Sequence, residues 1–223
     1  MLIEILYIII VLSFATIVSV IGKKYGVEYI IVVFASLVVT ANIVASKVVE
    51  FGDFVVPAGV IAYSATFLLT DILSEKWGKK HAKKAIWCGF LASIAMVLVV
   101  KISVLWTPAV FVEGDFLTAF NLILSSTSRI VLASMTAYLI SQYHDILAFD
   151  YWKRKTNGKY LWLRNNTSTI VSQFIDSVIF VTIAFYGIMP IIPLILGQWI
   201  VKITIAFIDT PFIYLACKLI DKQ

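Results

Sequence analysis

The sequence predicts an all-α fold, a polytopic transmembrane helix bundle of about seven spans, and three observations carry that prediction. Hydrophobic residues make up 61% of the 223-residue chain, charged residues only 14%, and mean hydropathy is +0.98. That composition excludes an ordinary soluble domain and also excludes disorder, which needs low hydrophobicity. The apolar residues fall into long runs that match the roughly 20 residues a helix needs to cross a bilayer. Barrel strands would alternate in polarity and be far shorter, so helices are the spanning element.

The runs cover residues 2–21, 29–49, 55–73, 85–105, 117–147, 166–185 and 194–217. Orientation follows from the basic residues, which collect in short cytoplasmic loops. Lys23 and Lys24 follow the first run, and Lys76, Lys79, Lys80, Lys83 and Lys84 follow the third. Lys153, Arg154, Lys155, Lys159 and Arg164 follow the fifth, and Lys218 and Lys222 end the chain. These fourteen of the 18 basic residues share one side of a seven-span arrangement. The opposite loops carry Glu50, Asp53, Glu113 and Asp115, or no charge at 190–193. The amino terminus is therefore expected outside and the carboxyl terminus inside. The first run lacks a basic leader and precedes Lys23 and Lys24, which fits a retained reverse anchor better than a cleavable signal. Residues 1–223 read as one integral membrane domain. Two three-span blocks of opposite orientation would form inverted repeats around a midplane site, with Asp71 opposite Asp176.

The formal charge of +5 is spread over loops, so it marks topology and not nucleic-acid affinity. Cys88 and Cys217 lie within apolar runs with no C-x-x-C spacing and behave as small apolar residues. There is no glycine-rich phosphate loop, no Ser/His pair on plausible spans and no acid cluster of metal-ligand spacing. No cofactor and no enzymatic step are expected.

Polar residues inside the runs carry the functional signal, because a charge at bilayer depth is costly and is usually retained for a pathway or a ligand. Asn42 fits either helix packing or ligand binding, whereas Lys47 can snorkel to the interface. Asp71 and Glu75 are four residues apart and share a helix face. Glu75 is expected in solvent or paired with the lysines at 76–84, while the deeper Asp71 needs a cation, a proton or a ligand. In the fifth run Asn121, Ser125 and Arg129 form a ridge at four-residue steps, and Gln142 and Asp145 lie lower, as a gate or an interface cap. Thr169, Gln173 and Asp176 share one face of the sixth run, and Asp176 is the natural counter-ion for Arg129. Gln198, Lys202 and Asp209 form a stripe in the seventh, where Pro211 frees the carbonyl of Phe207 and suits a hinge. The deep charges nearly cancel. Together with the amides of Asn42, Gln173 and Gln198 and the rings of Phe34, Tyr63, Phe67, Phe174 and Trp199, they suit a flat, polar, largely uncharged heterocycle.

These residues resemble the queuosine-precursor transporter family, also called the vitamin-uptake transporter family. The resemblance rests on Asn42 in Ala-Asn-Ile-Val, the run from Ala65 to Asp71 with Gly78 after it, and Asn121-Leu122 followed by Arg129. It continues through Ala137-Tyr-Leu-Ile-Ser-Gln142 with Asp145, then Ser168-Thr169, Asp176 and Phe185, and finally Lys202 with Pro211. It implies a membrane carrier of 7-deazaguanine derivatives salvaged for transfer-RNA modification, and six spans as the alternative count. Asn42, Asp71, Arg129, Asp176 and Lys202 would be its core polar set. Phe67 and Gln173 join them as candidate substrate contacts, and a guanine-like edge would place its two N–H donors on Asp71 or Asp176. The expected partners are the small-molecule deazapurine and membrane lipid, with a second copy of the chain as a further candidate. The competing reading is the substrate-capture subunit of an importer driven by a separate ATPase.

Overall fold

The computed structural model describes residues 2–45, 47–109, 114–124, 128–187 and 190–222. Within them the chain forms α1 (Leu2–Tyr25), α2 (Glu28–Val44), a hairpin of β1 (Val48–Phe51) and β2 (Phe54–Pro57), α3 (Val60–Lys76) and α4 (Lys79–Leu105). It continues with α5 (Asp115–Leu124), α6 (Ser128–Lys155), α7 (Leu161–Phe185) and α8 (Ile191–Asp221). The protein is a helical bundle. Four segments, Ile3–Tyr25, Lys79–Leu105, Leu161–Phe185 and Ile191–Asp221, are long and apolar enough to cross a membrane, and α2 and α5 are shorter apolar helices.

Burial runs opposite to that of a soluble protein. Large apolar side chains such as Ile17, Leu98 and Phe207 are more than half exposed, whereas Asp71, Asp145, Gln142 and Lys202 are buried. An apolar exterior around a polar interior is what hydrocarbon solvent selects. The centre is α3, buried at every position from Ser64 to Ser74 and packed against α1, α2, α4, α6 and α8. Helix α7 turns a polar stripe inward, running from Arg164 and Asn165 through Ser168, Thr169, Ser172 and Gln173 to Asp176.

One element differs from the sequence reading. The second and third runs do not extend through 45–57 as helix. Val48–Phe51 pairs antiparallel with Phe54–Pro57 around Gly52 and Asp53, with Val49 opposite Val56 and Gly52 at a φ of 58°. Valine and phenylalanine favour pleated strands, and glycine supplies the left-handed turn. Lys47 therefore lies outside α2, exposed, its carbonyl accepting the Ala58 N–H at 2.8 Å. In the fifth run Asn121 belongs to α5, which buries no residue, and Arg129 belongs to α6; the expected ridge runs through residues outside the described ones. Ser125 and the side chain of Arg129 lie outside the described residues.

One end of the bundle is tied by ion pairs. Lys76 reaches Asp221 at 2.6 Å, Lys79 reaches Asp150 at 2.8 Å and Arg154 reaches Asp150 at 3.2 Å. Glu75 meets Lys153 at 2.9 Å and Arg164 at 3.1 Å, so its partners come from α6 and α7 and not from the expected lysines at 76–84. At the opposite end helices touch through glycine. A Cβ on Gly59 would lie 2.3 Å from the carbonyl oxygen of Ala41, so α3 enters directly against the α2 backbone. Gly59→Ala should lower the stability of the detergent-solubilised protein by about 1–3 kcal/mol, the usual cost of overpacking. A thermal midpoint unchanged by the substitution would contradict this close approach.

Candidate functional site

Helices α3 and α6 run side by side in the same direction, as their contacts show in order. Tyr63 meets Ser141, Thr66 and Thr70 meet Gln142, and Glu75 meets Lys153. Helix α8 runs back along α7, with Asp176 beside Lys202 and Asn165 beside Asp209. These four helices bring their polar residues together on two levels.

On the first level, Asp176 is the hub. Its Oδ1 accepts Tyr63 Oη at 2.7 Å and Ser141 Oγ at 3.1 Å, and its Oδ2 accepts the ammonium of Lys202. Lys202 also lies over the Tyr63 ring, 5.4 Å from its centroid. Every member comes from a different helix. Lysine and carboxylate are both nearly sealed from solvent, and a pair so placed persists only when its remaining hydrogen-bonding positions are filled. Tyr63 and Ser141 fill them.

A cavity of about 70 Å³ opens above this pair. Asn42, Tyr63, Ser134, Asp176, Gln198 and Lys202 supply its polar lining; Phe180 and the hairpin residue Pro57 supply apolar wall. Asn42 Oδ1 accepts Ser134 Oγ at 2.7 Å, which turns the amide toward α6. The Oε1 of Gln198 is buried without a partner among the described residues. The site thus offers an anionic acceptor, a cationic donor and an aromatic face within one enclosure.

The second level lies toward the ion-paired end. There Asp71 Oδ2 accepts Thr169 Oγ1 at 3.5 Å, and Thr169 precedes Asp176 by seven residues, which is about 10 Å along a helix. Asp145 faces Asp71, and Asp209 accepts Asn165 Nδ2 at 2.8 Å.

The sequence-predicted residues therefore divide. Asn42, Asp176 and Lys202 line the cavity, and Phe67 packs edge-on against Tyr63 with ring centroids 5.6 Å apart. Gln173 is buried one turn from Asp176, both amide atoms without partners among the described residues. Asp71 sits on the other level, not opposite Asp176. Asp176 is held by Lys202, which reaches it from the adjacent α8; the side chain of Arg129, its expected counter-ion, lies outside the described residues. Sequence reasoning treated Tyr63 as a ring alone and missed its hydroxyl. It also placed Arg164 in a loop, although Arg164 is buried and opens the polar stripe of α7 at helical spacing.

Residues 57–216, which include nearly all of these side chains, match the family model described as "Putative vitamin uptake transporter". The chain belongs to the vitamin uptake transporter family. It is 32% identical over 206 residues to the "Probable queuosine precursor transporter" of Bacillus subtilis (strain 168), covering 90% of this chain and 89% of the relative. A protein of the same description from Haemophilus influenzae (strain ATCC 51907 / DSM 11121 / KW20 / Rd) is 30% identical over 128 residues, 57% of this chain and 51% of that one. No solved structure matches. Family membership and the apolar exterior of its helices make this a multi-pass transport protein of the cell membrane.

Within this transporter the Asp176–Lys202 pair should behave as a unit. Lys202→Met strands a buried carboxylate and should cost about 3–5 kcal/mol, whereas adding Asp176→Asn removes the stranded charge and should recover most of that loss. Denaturant titration in detergent measures both. A double variant no more stable than Lys202→Met alone would contradict the pairing.

Proposed function

We propose that the chain carries 7-deazaguanine derivatives, such as 7-cyano-7-deazaguanine or 7-aminomethyl-7-deazaguanine, across the cell membrane. The binding site is the cavity above Asp176 and Lys202. The printed descriptions of two relatives support the cargo class. The observation that carries the site is the joint presentation of Asp176 and Lys202 beside the Tyr63 ring. A guanine-type edge has two adjacent N–H donors next to a carbonyl acceptor. Such a ligand can enter between the pair, giving its donors to Asp176 and accepting from Lys202, so neither charge is left without a partner. Before the cargo arrives, Lys202 occupies the carboxylate and keeps the helices together.

The proposed topology has seven crossings: α1, α2, α3, α4, α6, α7 and α8. At 10 residues α5 rises only about 15 Å and does not cross. Alternating crossings make α3 and α6 parallel and α7 and α8 antiparallel, in agreement with their contacts. The ion-paired end is the cytoplasmic one, where Lys76, Lys79, Lys153 and Arg154 meet their partners. Impermeant thiol reagents should label Gly114→Cys from outside and Lys222→Cys from inside; labelling of both from one side would overturn this arrangement.

Liposomes containing this chain and no ATPase should take up labelled 7-deazaguanine derivative; uptake that needs a second, ATP-hydrolysing complex would favour the capture-subunit reading. Asp176→Asn turns one acceptor into a donor facing a ligand donor. Each buried group left unpaired costs about 1–3 kcal/mol, so affinity should fall by about tenfold to a hundredfold. Adenine-type ligands, with an acceptor where guanine has N–H, should bind weakly to the native protein and lose little more in the variant. Equal affinity for both types, unaltered by Asp176→Asn, would mean that this carboxylate does not read the base.

A further inference from the structure

The cargo site does not use the second level. Asp71, Asp145 and Asp209 come from α3, α6 and α8, all are almost fully buried, and none makes an ion pair among the described residues. The nearby cations have other partners. Lys202 holds Asp176 and Lys153 holds Glu75 toward the cytoplasmic end, while Arg164 gives Nη2 to Glu75 and lies over the Phe149 ring, its Nε and Nη1 without a partner among the described residues. On α4 Lys79 holds Asp150 and Lys83 lies over the Tyr143 ring. His144 is bonded to Ser172 on α7, and α1 brings the hydroxyls of Thr16 and Ser19, which bond their own helix. Asp145 is surrounded by Asp71 and by the hydroxyls of Ser168, Thr169 and Ser172 on α7, and Asp71 Oδ1 has no donor among the described residues. Independently of the acids, Asn165 is fully buried and gives its Nδ2 to Asp209, yet its Oδ1 at the cluster's edge is also without a partner.

The hydroxyls and the Asn165 amide supply hydrogen bonds but no charge, and two buried carboxylates that face each other still need a proton or a cation between them. Among the described residues no three acid, histidine or cysteine groups are placed to hold a metal ion. A proton fits, since it needs only two facing carboxyl groups and turns one of two repelling acceptors into a donor. Order along the helices sets Asp71 against Asp145, between the contact of Thr70 with Gln142 and that of Glu75 with Lys153.

We propose that Asp71 and Asp145 hold an exchangeable proton between them, and that this proton is the coupling ion of the carrier. The coupling half rests on the cargo reading above; the proton site itself does not. The two levels share helices. On α3, Tyr63 serves Asp176 and Asp71 serves the proton, and on α6, Ser141 and Asp145 do the same, four residues or about 6 Å apart. Between the levels, Gln142 Nε2 donates to Thr66 Oγ1 at 2.8 Å and Gln142 Oε1 accepts Thr70 Oγ1 at 3.4 Å. Loss of the proton makes Asp71 and Asp145 repel, which loads the α3–α6 contact on which the cargo site depends. The proton enters from the side of higher concentration and leaves to the other with the helices rearranged.

The test has two arms on the full chain in liposomes. Infrared spectra at neutral pH, without cargo, should show the C=O stretch of a protonated carboxylic acid, losing intensity in both Asp145→Asn and Asp71→Asn. In transport, an inward-acid pH gradient should alter the accumulation of 7-cyano-7-deazaguanine by the native protein. Asp145→Asn should keep cargo-for-cargo exchange, which also shows that it is folded, and lose the response to the gradient. Absence of the protonated band, or its persistence unchanged in both variants, would overturn the proton site. Gradient-driven accumulation surviving in Asp145→Asn, or driven by sodium instead, would overturn the coupling. A band that responds to the substitutions, with no uptake by the native protein, would support the proton site and overturn the cargo reading.

Discussion

The buried carboxylate of Asp176 is the constraint on which the rest of the interior depends. In a low-dielectric bundle an ionised carboxylate survives only with a cation and enough donors around it. Supplying them draws Tyr63 from α3, Ser141 from α6 and Lys202 from α8 to one point on α7. Four helices are thereby fixed in relative height and rotation by a requirement of electrostatics. Non-directional apolar packing could not do this, because lipid tails compete for apolar faces as well as another helix does.

From that point the interior is graded toward both ends. Above it, glycine at position 59 lets α3 enter flush against α2, the hairpin lies on α8, and Ala41, Pro57 and Gly59 line the cavity. Below it, threonines and Gln142 carry hydrogen bonds toward the unpaired acids, and Glu75 with Lys153 and Arg164 closes the far end. A balanced pair beneath an open cavity suits a neutral cargo with donors and an acceptor on one edge. Unbalanced acids in a closed region suit an ion. The two levels thus have different chemistry although they share their helices.

The bundle was legible in the sequence because apolar run length reports directly on bilayer thickness. The hairpin was not, since Val48–Phe51 and Phe54–Pro57 are as apolar as the helices around them and only Gly52 and Asp53 mark the turn. Within the site, spacing alone put Asp176 on a shared face with Thr169 and Gln173, and Lys202 with Gln198 and Asp209. Partner choice across helices was beyond it. Lys202 holds Asp176 because α7 and α8 are neighbours, and Asp71 belongs with Asp145 because α3 and α6 run parallel. Neither fact is carried by a single helix. Arg164 adjoins a basic stretch and so reads as a loop residue, although its spacing with Asn165 and Ser168 places it in the helical polar stripe of α7.

In the proposed mechanism cargo takes the place of Lys202 on Asp176. An experimental structure of the protein bound to a 7-deazaguanine derivative should show the ligand's N–H edge within hydrogen-bonding distance of Asp176, its carbonyl on Lys202, and the direct contact between those two side chains opened. A ligand seated among Asp71, Asp145 and Asp209, or bound with the Asp176–Lys202 contact intact, would contradict it.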